Sequence, residues 1–374
     1  MAMTISGDNG LTFPAGSTQV QAGNYQTMVN RIINGRMEID QRNAGASVTN
    51  SSSGIPTYIL DRWGTVASQA SKFTIQQNAG SVTLPAGFIN YLGVTSSSAY
   101  SRLSTDYFGI VQPIEGLNIS DLDWGSANAK TITLSFWVRS SLTGTFAGRL
   151  ANSASNRSYV FTYSISSANT WEQKTVTITG DTTGTWLTTN GVGIAVWFDL
   201  GSGSNYQTTA GSWQAGNFAA TSSSTSVVGT NGATWYITGV DLRVGSYTVV
   251  PQDFRAYGTE LALCQRYCYV LGTAGGNLSM NSIGANSIST STRMLFNYPV
   301  TMRSAPTASF SAANTFLVQQ LSPFTNLTPS AVTAGAFNTQ SMHIDFTISG
   351  GTAGATCVLF DNTSAAKITV SAEL

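Results

Sequence analysis

The chain reads as all-β: a jelly-roll-like antiparallel sandwich, one linker helix and a second, smaller C-terminal β-sandwich. Three observations predict this. Short runs alternate apolar and polar residues along most of the sequence. Turns rich in Gly, Asn and Ser separate the runs, and Gly accounts for 37 of the 374 residues. Helical spacing is convincing in one stretch alone, between Arg255 and Tyr269.

Residues 1–24 form a short module that mixes turn residues with isolated apolar ones. It is too small to hold a core, so it must dock on its own domain, on a sister chain or on another protein. Residues 25–250 carry the sandwich. Ile132, Leu134, Phe136 and Val138 share one strand face, and Tyr159, Phe161, Tyr163 and Ile165 repeat the pattern. Ile194, Val196, Phe198 and Leu200 do so again, with Trp197 and Asp199 on the opposite face. Trp235 to Leu242 gives a late strand. One buried face per strand implies two packed antiparallel sheets.

Residues 251–272 hold the linker helix. Leu261, Cys264 and Cys268 fall at helical spacing, with a second stripe at Leu263, Tyr267 and Val270. Thr259 can cap its start and Gly272 lies just past its end. Two apolar sides need more partner surface than one sheet face offers, so the helix packs between domains or against its own copies; the plainer alternative is a connector on one domain's surface. Residues 273–374 then read as a second β domain, with strands expected at 294–300, 308–310, 342–348, 356–360 and 368–370. The length suffices for a small sandwich.

Charged residues are 9% of the chain, against roughly 25% in an ordinary globular protein. Hydroxyls and amides must therefore supply solubility. The 8 Trp, 14 Tyr and 17 Phe set the chain apart from disordered sequences. Lys plus Arg equals Asp plus Glu at 17 each, and no basic stripe exists to attract nucleic acid. No apolar run reaches the length of a membrane-spanning helix. The first residues lack the basic and apolar regions of a signal peptide. Three cysteines make no disulfide framework, which fits assembly in the cytoplasm.

Catalytic residue types are scarce. His343 is the single histidine, and it lies in an alternating strand beside Asp345. No phosphate-binding Gly motif or CxxC pair is present. Carboxylate pairs of the glycosidase kind could be drawn from Asp61, Asp106, Glu115, Asp121, Asp123, Asp199 and Asp241, but no spacing singles out a pair. Asp121 and Asp123 offer oxygen ligands for a structural calcium; no other cofactor is expected. Asp61 and Arg62 are expected to pair beside a core Trp63. Trp124, Trp186, Trp197, Tyr206 and Trp213 lie in or beside loop-like, Gly/Ser/Asn-rich stretches. Aromatic rings there can stack on the C–H faces of sugars while neighbouring amides and charges take the hydroxyls. These five are the candidate glycan contacts, with burial in the core as the commoner alternative for each Trp.

Several segments together resemble a known family. They are Asn34-Gly-Arg-Met-Glu-Ile-Asp-Gln-Arg-Asn43, Tyr58-Ile-Leu-Asp-Arg-Trp63, Gln112-Pro-Ile-Glu-Gly116, Leu134-Ser-Phe-Trp-Val-Arg-Ser140, Asn169-Thr-Trp-Glu-Gln-Lys-Thr175, Gly180-Asp-Thr-Thr-Gly-Thr-Trp186 and Ile237-Thr-Gly-Val-Asp-Leu-Arg243. The series resembles tailed-bacteriophage virion proteins of the fibre type with a carbohydrate-binding-like domain. The 260–269 and 296–306 regions resemble that family's C-terminal part, with Cys268 where a second aromatic is usual. Gly10 to Gln19 looks like the short β segments near fibre attachment ends. The resemblance implies a non-enzymatic virion protein, assembled in the host cytoplasm, that adheres to host surface glycans as a tail fibre. A capsid decoration protein or head fibre is the alternative, and a glycan depolymerase a third reading. It also implies a homotrimer, with Leu261, Cys264 and Cys268 near the shared axis, and attachment to other virion proteins through residues 1–24.

Overall fold

Alternation in the first β region resolves into two packed antiparallel sheets. The computed structural model describes residues 28–250, 253–272 and 279–374, and nearer the N-terminus only three short antiparallel strands, Thr4–Ser6, Gly10–Thr12 and Thr18–Gln19. The attachment expected of residues 1–24 otherwise lies outside the described residues.

The first sheet has six strands in the spatial order Glu172–Ile178, Ile132–Ser140, Thr234–Val244, Leu92–Ser96, Phe73–Gln77 and Val48–Thr49. The second has seven: Trp213–Ala215, Arg157–Ile165, Gly144–Ala151, Val192–Asp199, Phe108–Glu115, Trp63–Ala67 and Ser53–Leu60. The chain passes from sheet to sheet, so consecutive strands such as Ile132–Ser140 and Gly144–Ala151 lie in opposite layers. This is the expected jelly-roll-like sandwich.

The core between the layers is built from the alternating residues. Leu134, Phe136 and Val138 meet Phe161, Ile194, Val196 and Phe198, all fully or almost fully buried. The Phe136 ring stands edge-on to Tyr163 and to Phe198, each at 5.0 Å between centroids. Burial of each such side chain stabilises the fold by about 1.5–3 kcal/mol. The strand Thr234–Val244 needs one correction of phase. Trp235 and Ile237 point into the core, and so do Val240 and Leu242, which strict alternation forbids. An extra residue is accommodated opposite Ser135–Trp137, where Gly239 has φ 61. This bulge, made with a left-handed glycine, returns the second half of the strand to the core face.

The helix is shorter than its sequence pattern. It spans Tyr257–Gln265, and Cys268–Gly272 is already a strand paired with Lys367–Ser371. Thr259 is inside the helix, its N–H bonded to the Ala256 carbonyl, and Gly272 ends the strand rather than capping the helix. Cys264 and Cys268 are both 0% exposed. Cys264 packs with Ile33, Ile39 and Tyr267, with Leu261 partly buried against the same group. The two cysteines expected at a trimer axis are thus consumed within one chain, because the helix sits between the sandwich and the second domain.

That second domain is again two-layered. Cys268–Gly272, Lys367–Ser371 and Thr307–Phe310 form a three-stranded sheet. The other sheet runs Phe324–Leu327, Phe316–Leu321, Thr356–Asp361, Ser279–Ile288, Ser291–Asn297, Ser341–Thr347 and Ala331–Phe337. Met294, Phe316, Val318, Ile344, Phe346 and Leu359 fill the space between them. Strands expected from Met294 and Met342 begin slightly earlier, at Ser291 and Ser341.

Polar staples join the domains. Glu115, whose side chain is 1% exposed, accepts two hydrogen bonds from Arg266 (3.0 and 2.6 Å) and one from the Tyr267 hydroxyl (2.6 Å). Arg62 has φ 68 in the two-residue turn between Leu60 and Trp63. It lies 3.7 Å from the Tyr267 ring centre and pairs with Glu373. Asp61 does not pair with Arg62 as the sequence suggested; its carboxylate accepts the Gln41 backbone and side-chain N–H groups at 2.8 and 2.6 Å. The left-handed turn residue throws the guanidinium away from its neighbour and toward the second domain.

Candidate ligand-binding groove

Strand Val192–Asp199 positions the site by the same alternation that builds the core. Ile194, Val196 and Phe198 face inward, so Ala195 and Trp197 emerge on the outer face of the seven-stranded sheet beside Val66, Val111 and Ala219. Trp197 fits there because its diagonal neighbour on the adjacent strand, Gly109, is small. A Cβ on Gly109 would come within 2.1 Å of the indole. The Tyr107 ring stands edge-on to Trp197 at 6.5 Å, and Tyr206 edge-on to Tyr107 at 5.4 Å. The Arg149 guanidinium closes the other end of this row, 4.8 Å from the Trp197 ring centre.

Two adjoining cavities run along this surface. The larger, about 680 Å³, lies between the sheet and the second domain, with Tyr58, Pro113 and Trp197 on one side and Arg303, Ala372 and Leu374 on the other. The smaller, about 200 Å³, is walled by Tyr107, Tyr206 and Asn217. Gly54, Val66, Arg149, Ser155 and Trp197 border both, so the two form one groove. Arg303 fixes the far wall by donating to the backbone oxygens of Asn190 (2.7 Å), Ala372 (2.6 Å) and Glu373 (2.8 Å). The Tyr58 hydroxyl donates to the Leu374 carbonyl at 2.9 Å. Trp197 is itself only 4% exposed; it forms a wall, while the half-buried Tyr107 and Tyr206 present more open rings.

Burial shapes the charges. Desolvation pushes Arg149 down to about 10, against a rise from Asp199. Asp199 is in turn pushed up to about 6 by burial, although Ser202 donates to it through both hydroxyl and backbone N–H. Among the described residues no carboxylate lies within 4.0 Å of the Arg149 guanidinium; its Nη1 bonds Asn217 and, at 3.4 Å, the Phe218 carbonyl.

The five aromatic candidates from sequence separate into two groups. Trp197 and Tyr206 border the groove. Trp124, Trp186 and Trp213 instead pack edge-to-face on one another, at 4.8, 5.2 and 5.2 Å, at an edge of the core. Their indole N–H groups are spent on the carbonyls of Lys130, Thr183 and Thr179. Trp124 and Trp186 are 8% exposed, and none of the three lines the groove, so their assignment as its contacts changes. Tyr107 and Arg149 were missed. The sequence signal for Arg149 was available: it falls on the outward phase of Gly144–Ala151, opposite Trp197.

The calcium expectation also changes. Asp121 pairs with Arg31 at 2.6 Å and Asp123 with Lys130 at 3.3 Å. Among the described residues no group of three or more His, Cys, Asp or Glu side chains could hold a metal. His343 accepts the Ala336 backbone N–H at 3.2 Å and lies 3.9 Å from Asp345, on the outer face of the second domain.

The molecule is therefore a two-domain antiparallel β-sandwich protein with a mixed aromatic, cationic and amide groove at the seam. No protein-family model matches the chain, and no curated protein matches it. Among solved structures it is similar to the enzymatically active domain of tailspike protein 4 of bacteriophage CBA120, at 11% identity over 58% of this chain and 21% of that one, with a TM-score of 0.30. The chain thus spans about a fifth of that tailspike structure. It is also similar to a family 4 carbohydrate-binding module (14% identity, 57% and 98% coverage, TM-score 0.29). A third is a family 11 module from Clostridium thermocellum (10%, 54% and 96%, TM-score 0.26). The assignment of the fold rests on the hydrogen-bonded sheets themselves.

Proposed function

We propose that this protein is a non-catalytic virion protein of a tailed bacteriophage, a trimeric tail fibre that adheres to host surface glycans through the groove. The observation that carries the binding reading is the groove's composition. Aromatic rings, an arginine and amides converge on one concave surface, as saccharide recognition requires. The virion reading rests on the segments from Asn34 to Arg243 that resemble fibre proteins. Several of these serve as staples: Gln112 mimics a strand neighbour for Ile33, accepting its N–H at 2.9 Å and donating to its carbonyl at 2.8 Å. Asp181 in the 180–186 loop takes Arg157 at 2.8 and 2.6 Å. Weak binding per site suffices, since three chains and many copies per particle multiply it. With Cys264 and Cys268 buried inside the chain, the three-fold contact must use other surfaces.

A glycan array probed with the wild type and with Tyr206→Ala tests the binding. Retention on glycans that the variant loses supports the groove; equal binding by both moves the site elsewhere. Imaging of the particle tests the placement. Three-fold density on the tail supports the fibre, whereas density on the capsid makes the protein a decoration protein or head fibre. A stable monomer by mass measurement at micromolar concentration would remove the trimer.

A further inference from the structure

We propose that the groove selects saccharides carrying a single negative charge per recognised residue, a sugar carboxylate or sulfate ester, with the anion received by Arg149. This rests on the groove being the glycan site and names the chemistry that it takes.

Arg149 is 7% exposed and borders both cavities. A buried cation is normally neutralised by a carboxylate at contact distance. Arg149 has none among the described residues: its Nη1 is held by the Asn217 side-chain oxygen and the Phe218 carbonyl, and its Nε has no partner. The acid that acts on it, Asp199, does so from beyond 4.0 Å and is occupied with Ser202. The neighbouring Trp197 Nε1 is a second buried donor without a partner. Both atoms are closed to solvent and Trp197 Nε1 lies against Gly109, so the donor left for an oxyanion is Arg149 Nη2, which bonds no acceptor among the described residues.

The rest of the groove points the same way. Among the described residues, Arg303 on the opposite wall bonds only carbonyl oxygens. Glu373, the acid bordering the larger cavity, is paired with both Arg42 and Arg62. Neither Arg149 nor Arg303 therefore has a side-chain carboxylate at contact distance among the described residues. One under-compensated arginine suits a monoanion, and the aromatic row beside it suits the sugar ring that carries the charge.

The test uses the full chain on an array of glycans terminated by uronic or sialic acid, their carboxyl-reduced counterparts, sulfated glycans and neutral parents. Acidic members are expected to bind roughly tenfold more tightly than matched neutral ones, the scale of one charge-assisted contact. Enrichment of the carboxylated or of the sulfated set supports the proposal and identifies the source of the anion. Equal affinity for acidic and neutral partners overturns the charge selection while leaving the glycan reading standing. No binding to any member overturns both. Arg149→Gln should erase the acidic-over-neutral preference, read as the ratio of the two affinities, and Arg149→Lys should restore part of it. If the Gln variant fails to fold, salt titration of the wild type decides: acidic-glycan binding must weaken with ionic strength while neutral binding holds. Insensitivity to salt overturns the proposal.

Discussion

At the residue scale, the most consequential side chains are those whose partner lies far away in sequence. Glu115 is buried and held by Arg266 and Tyr267, 151 and 152 residues later. Arg266→Met leaves that carboxylate short of its cation and should cost about 3 kcal/mol, measured by urea unfolding; a loss indistinguishable from zero would show the pair to be ornamental. The double variant Glu115→Leu with Arg266→Met should recover part of the loss, because no buried charge is then stranded. Trp186→Ala should cost about 3–5 kcal/mol through the cavity it opens beside Trp124 and Trp213, and should leave glycan binding unchanged. A selective loss of binding in a stably folded variant would return Trp186 to the ligand site. None of these partnerships was readable beforehand. Asp61 next to Arg62 invited a local pair, yet a positive φ at Arg62 directs the two side chains to different partners.

At the element scale, periodicity carried most of the information. The phase of Val192–Asp199 correctly placed Ile194, Val196 and Phe198 inside and Trp197 outside. Loop-like composition misled at Trp124 and Trp186, since a Gly-rich turn can fold back and cover an aromatic as readily as expose it. The helix was legible in its existence and not in its end: Cys268 continues the helical spacing but pairs as a strand with Ser371, a tertiary contact that overrides local pattern. The bulge at Gly239 was equally invisible, because it depends on the register across Ser135–Trp137. The pairing of Phe108–Glu115 with Val192–Asp199 gives a direct test. Gly109→Ala puts a methyl against the Trp197 indole and should destabilise by about 1–3 kcal/mol, with a change in tryptophan emission. Unaltered emission and stability would mean that Trp197 is free to move aside.

At the scale of the whole molecule, the sparse charges make acid response a matter of a few buried groups. Burial pushes Asp61 and Asp199 up to about 6, against about 3.9 when unfolded. Their contribution to stability is therefore complete below about pH 4 and is lost as pH rises through about 6. Burial also opposes ionisation of Glu115 and Asp181, but hydrogen bonds from Arg266 and Arg157 outweigh it and hold both below the usual range. These two stabilise above their unfolded values, and that contribution is lost as pH falls through their lower folded values. Tm should thus be higher near pH 5 than near pH 7 and should fall in stronger acid. Asp199→Asn should flatten the rise. A steady decline from neutral pH to pH 5 would contradict the assignment.

The groove has walls from both domains, with Trp197 and Pro113 on one and Arg303 and Ala372 on the other. Any occupant that touches both acts as a rivet. It adds its binding free energy to the closed seam, by RT ln(1 + [L]/Kd) for a ligand that ignores the parted form. In the proposed role of tethering a particle to a surface, adhesion and mechanical cohesion would rise together: the domains would resist being pulled apart most firmly while the ligand is held.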